Sequence, residues 1–166
     1  MIDAELVALS EAVGSACRAH GLVVATAESC TGGWAAQVIT HTPGSSGWFE
    51  RGFVTYTNAS KTDMLGVRMD TITQFGAVSL ETAGEMAQGA LENSRATISL
   101  AITGIAGPTG GSPDKPVGTV CFGWCMKGQD GKMVPSCQRR LFSGDRESIR
   151  RQSVIHALSG LLERIT

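Results

Sequence analysis

Apolar residues recur at helical spacing from the start of the chain. Leu6, Leu9, Val13 and Cys17 share one face, the period of an amphipathic α-helix, with Asp3 placed to cap its first turn and Gly21 to close it. Residues 22–27, LVVATA, form a short apolar, β-rich run that reads as a buried strand, and the run enters SCTGGWAAQVITH, whose latter part has helical character. A strand, a tight turn and a helix are therefore predicted in succession. A loop is expected at residues 42–47 (TPGSSG), a strand at 53–56 (FVTY) ending in Tyr56, and a short helix beyond TNASK at 57–61.

Ser79 stands as an N-cap for the segment after it, where Ala83, Met86 or Ala87, and Ala90 or Leu91 make one apolar face. Residues 96–103, ATISLAIT, are a second apolar run and the next central strand. They lead into GIAGPTGGSPDKPVG, residues 104–118, too rich in glycine and proline for regular structure and too long for a simple turn. VGTVCFGWCM, the turn signal KGQDGK and KMVPSCQRRLF then read as a β-hairpin, with Pro135 sending its second arm to an edge. The last helix follows SGD, with Val154, Ala157 or Leu158, Leu161 or Leu162, and Ile165 on its apolar face. Arg146, Arg150 and Arg151 crowd its first turns, where cations oppose the helix dipole. Together the elements predict a single three-layer α/β/α domain over residues 1–166, built on a mixed sheet whose antiparallel strands come from the hairpin. The pattern leaves the strand order open.

Composition narrows the function classes. Fourteen Lys+Arg against 15 Asp+Glu leave a net charge of -1, which gives no sequence-independent hold on nucleic acid or an anionic membrane. A chain of 166 residues, 42% of them hydrophobic, can bury a core without disulfides or a structural metal. Cys17, Cys30, Cys121, Cys125 and Cys137 are odd in number, with no CxxC and no histidine pair at zinc spacing, so neither a disulfide framework nor a metal site is expected. The amino terminus lacks a basic leader, and no apolar run approaches the roughly 18 residues of a membrane span. A reduced, cytoplasmic protein is expected. Abundant glycine and few aromatics favour an α/β enzyme over an aromatic-rich binding module.

Ligands gather at the carboxyl ends of strands in open α/β sheets, and TAESCTGG, residues 26–33, puts Ser29, Cys30 and Thr31 at such an end. Two readings stand. Ser29 is a nucleophile with neighbouring N–H groups ready for an oxyanion, or Ser29 or Thr31 caps the helix while Gly32 and Gly33 permit close packing. Cys30 reads as a rival nucleophile or as a small packed residue. His20 and His41 end helices and His156 lies within one, so no Ser-His-Asp triad is indicated. Lys61 reads as a desolvated base for serine or as a solvated loop lysine, and Tyr56 as a functional hydroxyl or a packed aromatic. The glycine-rich segment after residue 103 offers N–H groups to an anion without matching a nucleotide-loop fingerprint. Arg146, with Arg150 one turn on, would either grip a phosphate or pair with Asp145 or Glu147. Edge strands and three tryptophans, Trp34, Trp48 and Trp124, each a core or interface residue, lead to the expectation of a homo-oligomer.

The order TAESCTGG, PGSS, Tyr56 with Lys61 five residues on, LGV, GAVS, TGIAGPTGG, KPVG and FSGDRESIR resembles the CinA carboxy-terminal domain family, from about Glu5 to Leu162. The resemblance implies hydrolysis of the carboxamide of nicotinamide mononucleotide to nicotinate mononucleotide and ammonia, in pyridine nucleotide salvage, by acyl transfer without metal or organic cofactor. It implies Ser29 as nucleophile, Lys61 as its base, and Tyr56 as a hydroxyl that positions one of them. The N–H groups around Cys30, Thr31, Gly32 and Gly33 would receive the oxyanion. Thr103, Gly104, Gly107, Gly110 and Gly111 would shape the nucleotide pocket, and Arg146 would face the substrate phosphate. Ser45 and Ser46 also lie within chain reach of Lys61, so Ser46 stands as a second candidate nucleophile and pocket residue. The alternatives are a non-catalytic competence- or damage-inducible interaction module and a nucleotide sensor without turnover; Ser29, Tyr56, Lys61 and Arg146 together favour the enzyme.

Overall fold

The computed structural model describes residues 2–166. Helix α1 (Ala4–His20) starts where the Asp3 carboxylate accepts from the Leu6 N–H and ends at Gly21 in the left-handed region, the two capping devices its sequence carries. Strand β1 (Val24–Glu28) leads through a glycine turn into α2 (Trp34–His41), and a single 3-10 turn (Ser45–Gly47) precedes β2 (Phe49–Val54). Three helices follow, α3 (Asn58–Leu65), α4 (Met69–Phe75) and α5 (Leu80–Glu92), then β3 (Ile98–Gly104), the hairpin of β4 (Thr119–Met126) and β5 (Ser136–Leu141), and α6 (Arg146–Ile165).

The sheet order is β2-β1-β3-β4-β5. Strand β1 runs parallel to both β2 and β3, and the hairpin adds the antiparallel half, so the sheet is mixed as expected. Successive side chains of β1 point to opposite faces: Val24 joins a core with Leu6, Val38 and Leu158 under α1, α2 and α6, whereas Ala25 and Ala27 join Leu65, Ile72, Met86 and Leu91 under α3, α4 and α5. That division makes the three layers. Trp48 and Trp124 lie in the first core, and the Trp124 indole N–H donates to the Ala157 carbonyl at 2.9 Å.

Two local expectations are corrected, and one short helix is added to those the sequence predicts. Strand β2 occupies Phe49–Val54 rather than 53–56, because its extent is set by pairing with β1, beginning at Val24 opposite Phe49 and ending at Glu28 opposite Val54. Tyr56 therefore lies beyond the strand. Lys61 sits inside α3 and not in a loop, since Thr57 and Ser60 form a capping box that starts the helix just ahead of it. Helix α4 spans only seven residues, too few to show a helical period in sequence. It is anchored from outside, with the Arg68 N–H and the Thr71 hydroxyl donating to the Glu85 carboxylate at 2.9 and 2.5 Å.

The parallel strands bring their carboxyl ends to one rim. The Ser29 N–H donates to the Ile102 carbonyl at 3.0 Å and the Thr55 N–H to the Glu28 carbonyl at 2.8 Å, so the residues leaving β1, β2 and β3 meet there. Helix α3 carries Lys61 to this rim by packing on α5, where a Cβ added to Gly89 would overlap the Leu65 carbonyl. Gly→Ala inside a helix ordinarily stabilises by about 1 kcal/mol. Gly89→Ala is expected to reverse that sign and destabilise by about 1–3 kcal/mol through overpacking, measured as a lowered denaturation midpoint.

Candidate active site

Beyond β1 the chain turns sharply, the Gly32 N–H donating to the Ser29 carbonyl at 3.0 Å. Ser29 is 8% exposed at the start of this turn. The Lys61 Nζ reaches it across the rim, 3.1 Å from Ser29 Oγ and 2.8 Å from the Thr55 carbonyl oxygen. Lys61 is 1% exposed, and among the described residues it forms no ion pair. Burial accordingly holds its pKa below the ordinary 10.5, with the Cys30 group pulling weakly the other way. A neutral amine has two N–H donors and one lone pair. In its neutral form, with one N–H committed to Thr55, the amine can turn its lone pair to the Ser29 O–H, the arrangement a general base requires.

The Cys30 thiol is pushed up to about 12, first by burial and then by the neighbouring Glu28 charge, so it stays protonated at neutral pH and cannot serve as a thiolate nucleophile. Among the described residues, no histidine lines the cavity in front of Ser29. Lys61 is the titratable side chain in hydrogen-bond contact with Ser29.

Sequence reasoning passed over Glu28. It is 1% exposed and accepts from the Thr31 hydroxyl at 2.6 Å and from the Ala35 and Ala36 N–H groups at 2.8 and 3.1 Å. Burial pushes its carboxyl above the usual range, and those donors pull it back. An acid just ahead of a helix start was the available signal. Neither Ser29 nor Thr31 caps α2 through its side chain: the N-cap is Gly33, with no side-chain cap bond. Because the Trp34 N–H donates to the Thr31 carbonyl, Glu28 takes the Ala35 and Ala36 amides, and Gly32 donates to Ser29, the expected oxyanion donors narrow. Among the described residues, the Cys30 and Thr31 N–H groups donate to no protein acceptor.

A cavity of about 290 Å³ opens in front of Ser29 and Lys61, with Tyr56, Thr103, Gly107 and Arg146 among its walls. Cys30, Gly104 and Gly110 line it as well. The Arg146 guanidinium stands at its lip, donating to the Gly107 carbonyl at 2.6 Å and to the Tyr56 hydroxyl at 3.0 Å, rather than pairing with Asp145 or Glu147. Tyr56 is 58% exposed, and its hydroxyl is engaged by Arg146 and not by Ser29 or Lys61, which corrects its expected part in the pair. The Thr103 hydroxyl donates to the Ala77 carbonyl at 2.8 Å, holding the turn before α5 against the cavity. A second cavity of about 560 Å³, walled by Thr31, Gly32, Gly33, Trp34 and Arg150, adjoins the first at Arg146.

Two expected residues lie elsewhere. Gly111 lines neither cavity; a Cβ added there would overlap the Val117 backbone nitrogen. Ser46 is exposed in the 3-10 turn before β2. As β1 and β2 are parallel, it enters the sheet at the rim opposite Ser29, a five-residue strand away, roughly 17 Å at 3.3 Å per residue.

The buried amine makes a statement about stability. The fold disfavours protonated Lys61, so the unfolded chain binds more protons between the depressed pKa and the ordinary 10.5, and wild-type stability rises with pH across that window. Lys61→Met removes this titration. Its denaturation midpoint relative to wild type is expected to improve as pH is lowered through the window, and a pH-independent difference would mean that the amine titrates normally in the fold.

The CinA C-terminal domain model matches residues 6–165. The nicotinamide-nucleotide amidohydrolase PncC of Escherichia coli strain K12 is 53% identical over 164 residues, covering 99% of this chain and 97% of that protein. The protein of the same name from Pseudomonas putida is 52% identical over 155 residues, covering 93% and 94%. Among solved structures, the competence/damage inducible protein CihA of Agrobacterium tumefaciens superposes with a TM-score of 0.89 at 45% identity, covering 98% of this chain and 97% of that one. With a match that takes in every residue from Ser29 to Arg150 and relatives aligned from end to end, this chain belongs to the CinA C-terminal domain family.

Proposed function

We propose that the protein is a nicotinamide-nucleotide amidohydrolase, deamidating nicotinamide mononucleotide to nicotinate mononucleotide and ammonia through a serine acyl-enzyme. The observation that carries this reading is the buried Lys61 Nζ 3.1 Å from Ser29 Oγ; the names of the Escherichia coli and Pseudomonas putida relatives supply the substrate. Lys61 takes the Ser29 proton as the alkoxide attacks the carboxamide carbon. The negative charge on the substrate oxygen falls to the free N–H groups of Cys30 and Thr31, the kind of fixed donor that contributes about 3–4 kcal/mol to acyl transfer. The C–N bond breaks and the Lys61 ammonium returns its proton to the departing nitrogen, releasing ammonia. Water, deprotonated by the same amine, then hydrolyses the nicotinoyl ester and restores Ser29.

The phosphate falls to Arg146. Its partners at the lip are a carbonyl and a phenol, and a phosphate oxygen is a stronger, charge-assisted acceptor than either. Tyr56 then acts on the substrate through Arg146. All of these groups are read as one catalytic domain.

Ser29→Ala and Lys61→Ala are each expected to lower turnover at least about a hundredfold with the fold intact, a loss near 3 kcal/mol of transition-state stabilisation, measured as ammonia release from nicotinamide mononucleotide. Ser46→Ala should leave the rate unchanged. An active Ser29→Ala protein would contradict the acyl-enzyme. Arg146→Ala should raise KM for nicotinamide mononucleotide while leaving kcat/KM for the unphosphorylated riboside nearly unchanged; equal losses on both substrates would remove Arg146 from the phosphate.

A further inference from the structure

We propose that Arg150 is a positioning residue for the oxyanion site: it fixes and polarises the peptide that presents the Thr31 N–H to the reacting carboxamide. This inference rests on the acyl-transfer reading above and deepens it. The turn after β1 is closed between the Ser29 carbonyl and the Gly32 N–H, which makes the Cys30–Thr31 peptide its middle unit. The orientation of a middle peptide is the variable element of such a turn, since the two common turn types differ by its flip. In a planar trans peptide the carbonyl and the N–H point in opposite directions. Whatever holds the Cys30 carbonyl therefore aims the Thr31 N–H the other way.

Arg150 holds it. From α6, its Nε donates to the Cys30 carbonyl at 3.0 Å and a terminal nitrogen donates to the Thr31 carbonyl at 3.3 Å. The guanidinium is itself held in place over the Trp34 ring, 5.6 Å from the centroid. It stands in the second cavity with Thr31, whose carbonyl it holds, and with Gly32 and Gly33, while Ser29 and Cys30 face the first, so the turn separates the cation from the reacting groups. On the other side the Thr31 hydroxyl is tied to buried Glu28 at 2.6 Å. The peptide is thus gripped from both sides, and its N–H has no protein acceptor among the described residues. A cation on the carbonyl oxygen also draws electron density along the amide, making the N–H at the other end a stronger donor. These contacts also account for a cation in the first turns of α6, where it opposes the dipole. Arg151, its neighbour in sequence, pairs instead with Asp3 and Glu5 at 2.8 and 3.2 Å and serves as the control.

Arg150→Met and Arg150→Lys are compared with Arg151→Met in ammonia release from nicotinamide mononucleotide and in the amide spectrum of isotopically labelled protein. Arg150→Met is expected to lower kcat at least about tenfold with KM within about twofold, the pattern of an interaction made in the transition state. Arg150→Lys, a point charge able to reach one carbonyl, should recover part of kcat, and the pH profile should keep the wild-type midpoint, because the base is Lys61. In both Arg150 variants the Thr31 amide proton should move upfield, while Arg151→Met leaves rate and resonance unchanged. An unchanged kcat in folded Arg150→Met overturns the proposal. So does a raised KM with kcat intact, which would assign Arg150 to the substrate phosphate. The Thr31 resonance needs no turnover: wild-type protein that releases no ammonia defeats the acyl-transfer reading, whereas an unmoved resonance defeats the role of Arg150.

Discussion

An amine buried without a counter-charge governs this molecule. Lys61 meets Ser29 at the wall of the cavity with little of either side chain exposed, and among the described residues it is met by a carbonyl and a hydroxyl but by no carboxylate to stabilise its protonated form. Burial of a cation on those terms is unfavourable, and the group responds by favouring its neutral state. Elsewhere the same loss of charge would be a defect. In the proposed reaction it is what suits a lysine to act as a base beside a serine, with one N–H held by the Thr55 carbonyl.

The scaffold answers to that contact. Parallel pairing of β1 with both neighbours gathers three strand ends at one rim, and the Thr57–Ser60 capping box starts α3 at the point where Lys61 falls on its inward face. Glu28, also buried, differs in its partners: three donors reach its carboxyl oxygens and offset part of the upward push of burial, and they remove the Ala35 and Ala36 amides from the set open to substrate. Thr103, Arg146 and Arg150 belong to β3 and α6 yet bond to backbone carbonyls around the cavity. Long-range side-chain contacts therefore shape a site whose reactive pair, Ser29 and Lys61, itself meets across 32 residues of sequence.

What the sequence made legible follows from how local each signal is. The apolar run into TAESCTGG announced a strand, a turn and a helix, because burial on both sheet faces leaves its mark on consecutive residues. Lys61 stood between two readings, since whether a lysine is solvated depends on α5 and β2 packing around it and not on its neighbours in the chain. Ser46 looked equivalent to Ser29 because chain distance says nothing about which end of a parallel strand a segment enters. Tyr56 was assigned the wrong partner for a like reason, Arg146 being ninety residues away. Glu28 and Gly111 are read correctly only once hydrogen bonds and packing are in view.

The ionisation of Lys61 is the most direct measure of all this. Side-chain labelling of the lysines, followed by NMR titration of the Lys61 ammonium in the wild-type protein with Lys61→Met to assign the signal, gives its midpoint without reference to any substrate. A midpoint below the ordinary 10.5, with the amine losing its proton ahead of the exposed lysines, is the expected result. A Lys61 that titrates with them, or after them, contradicts a neutral base beside Ser29.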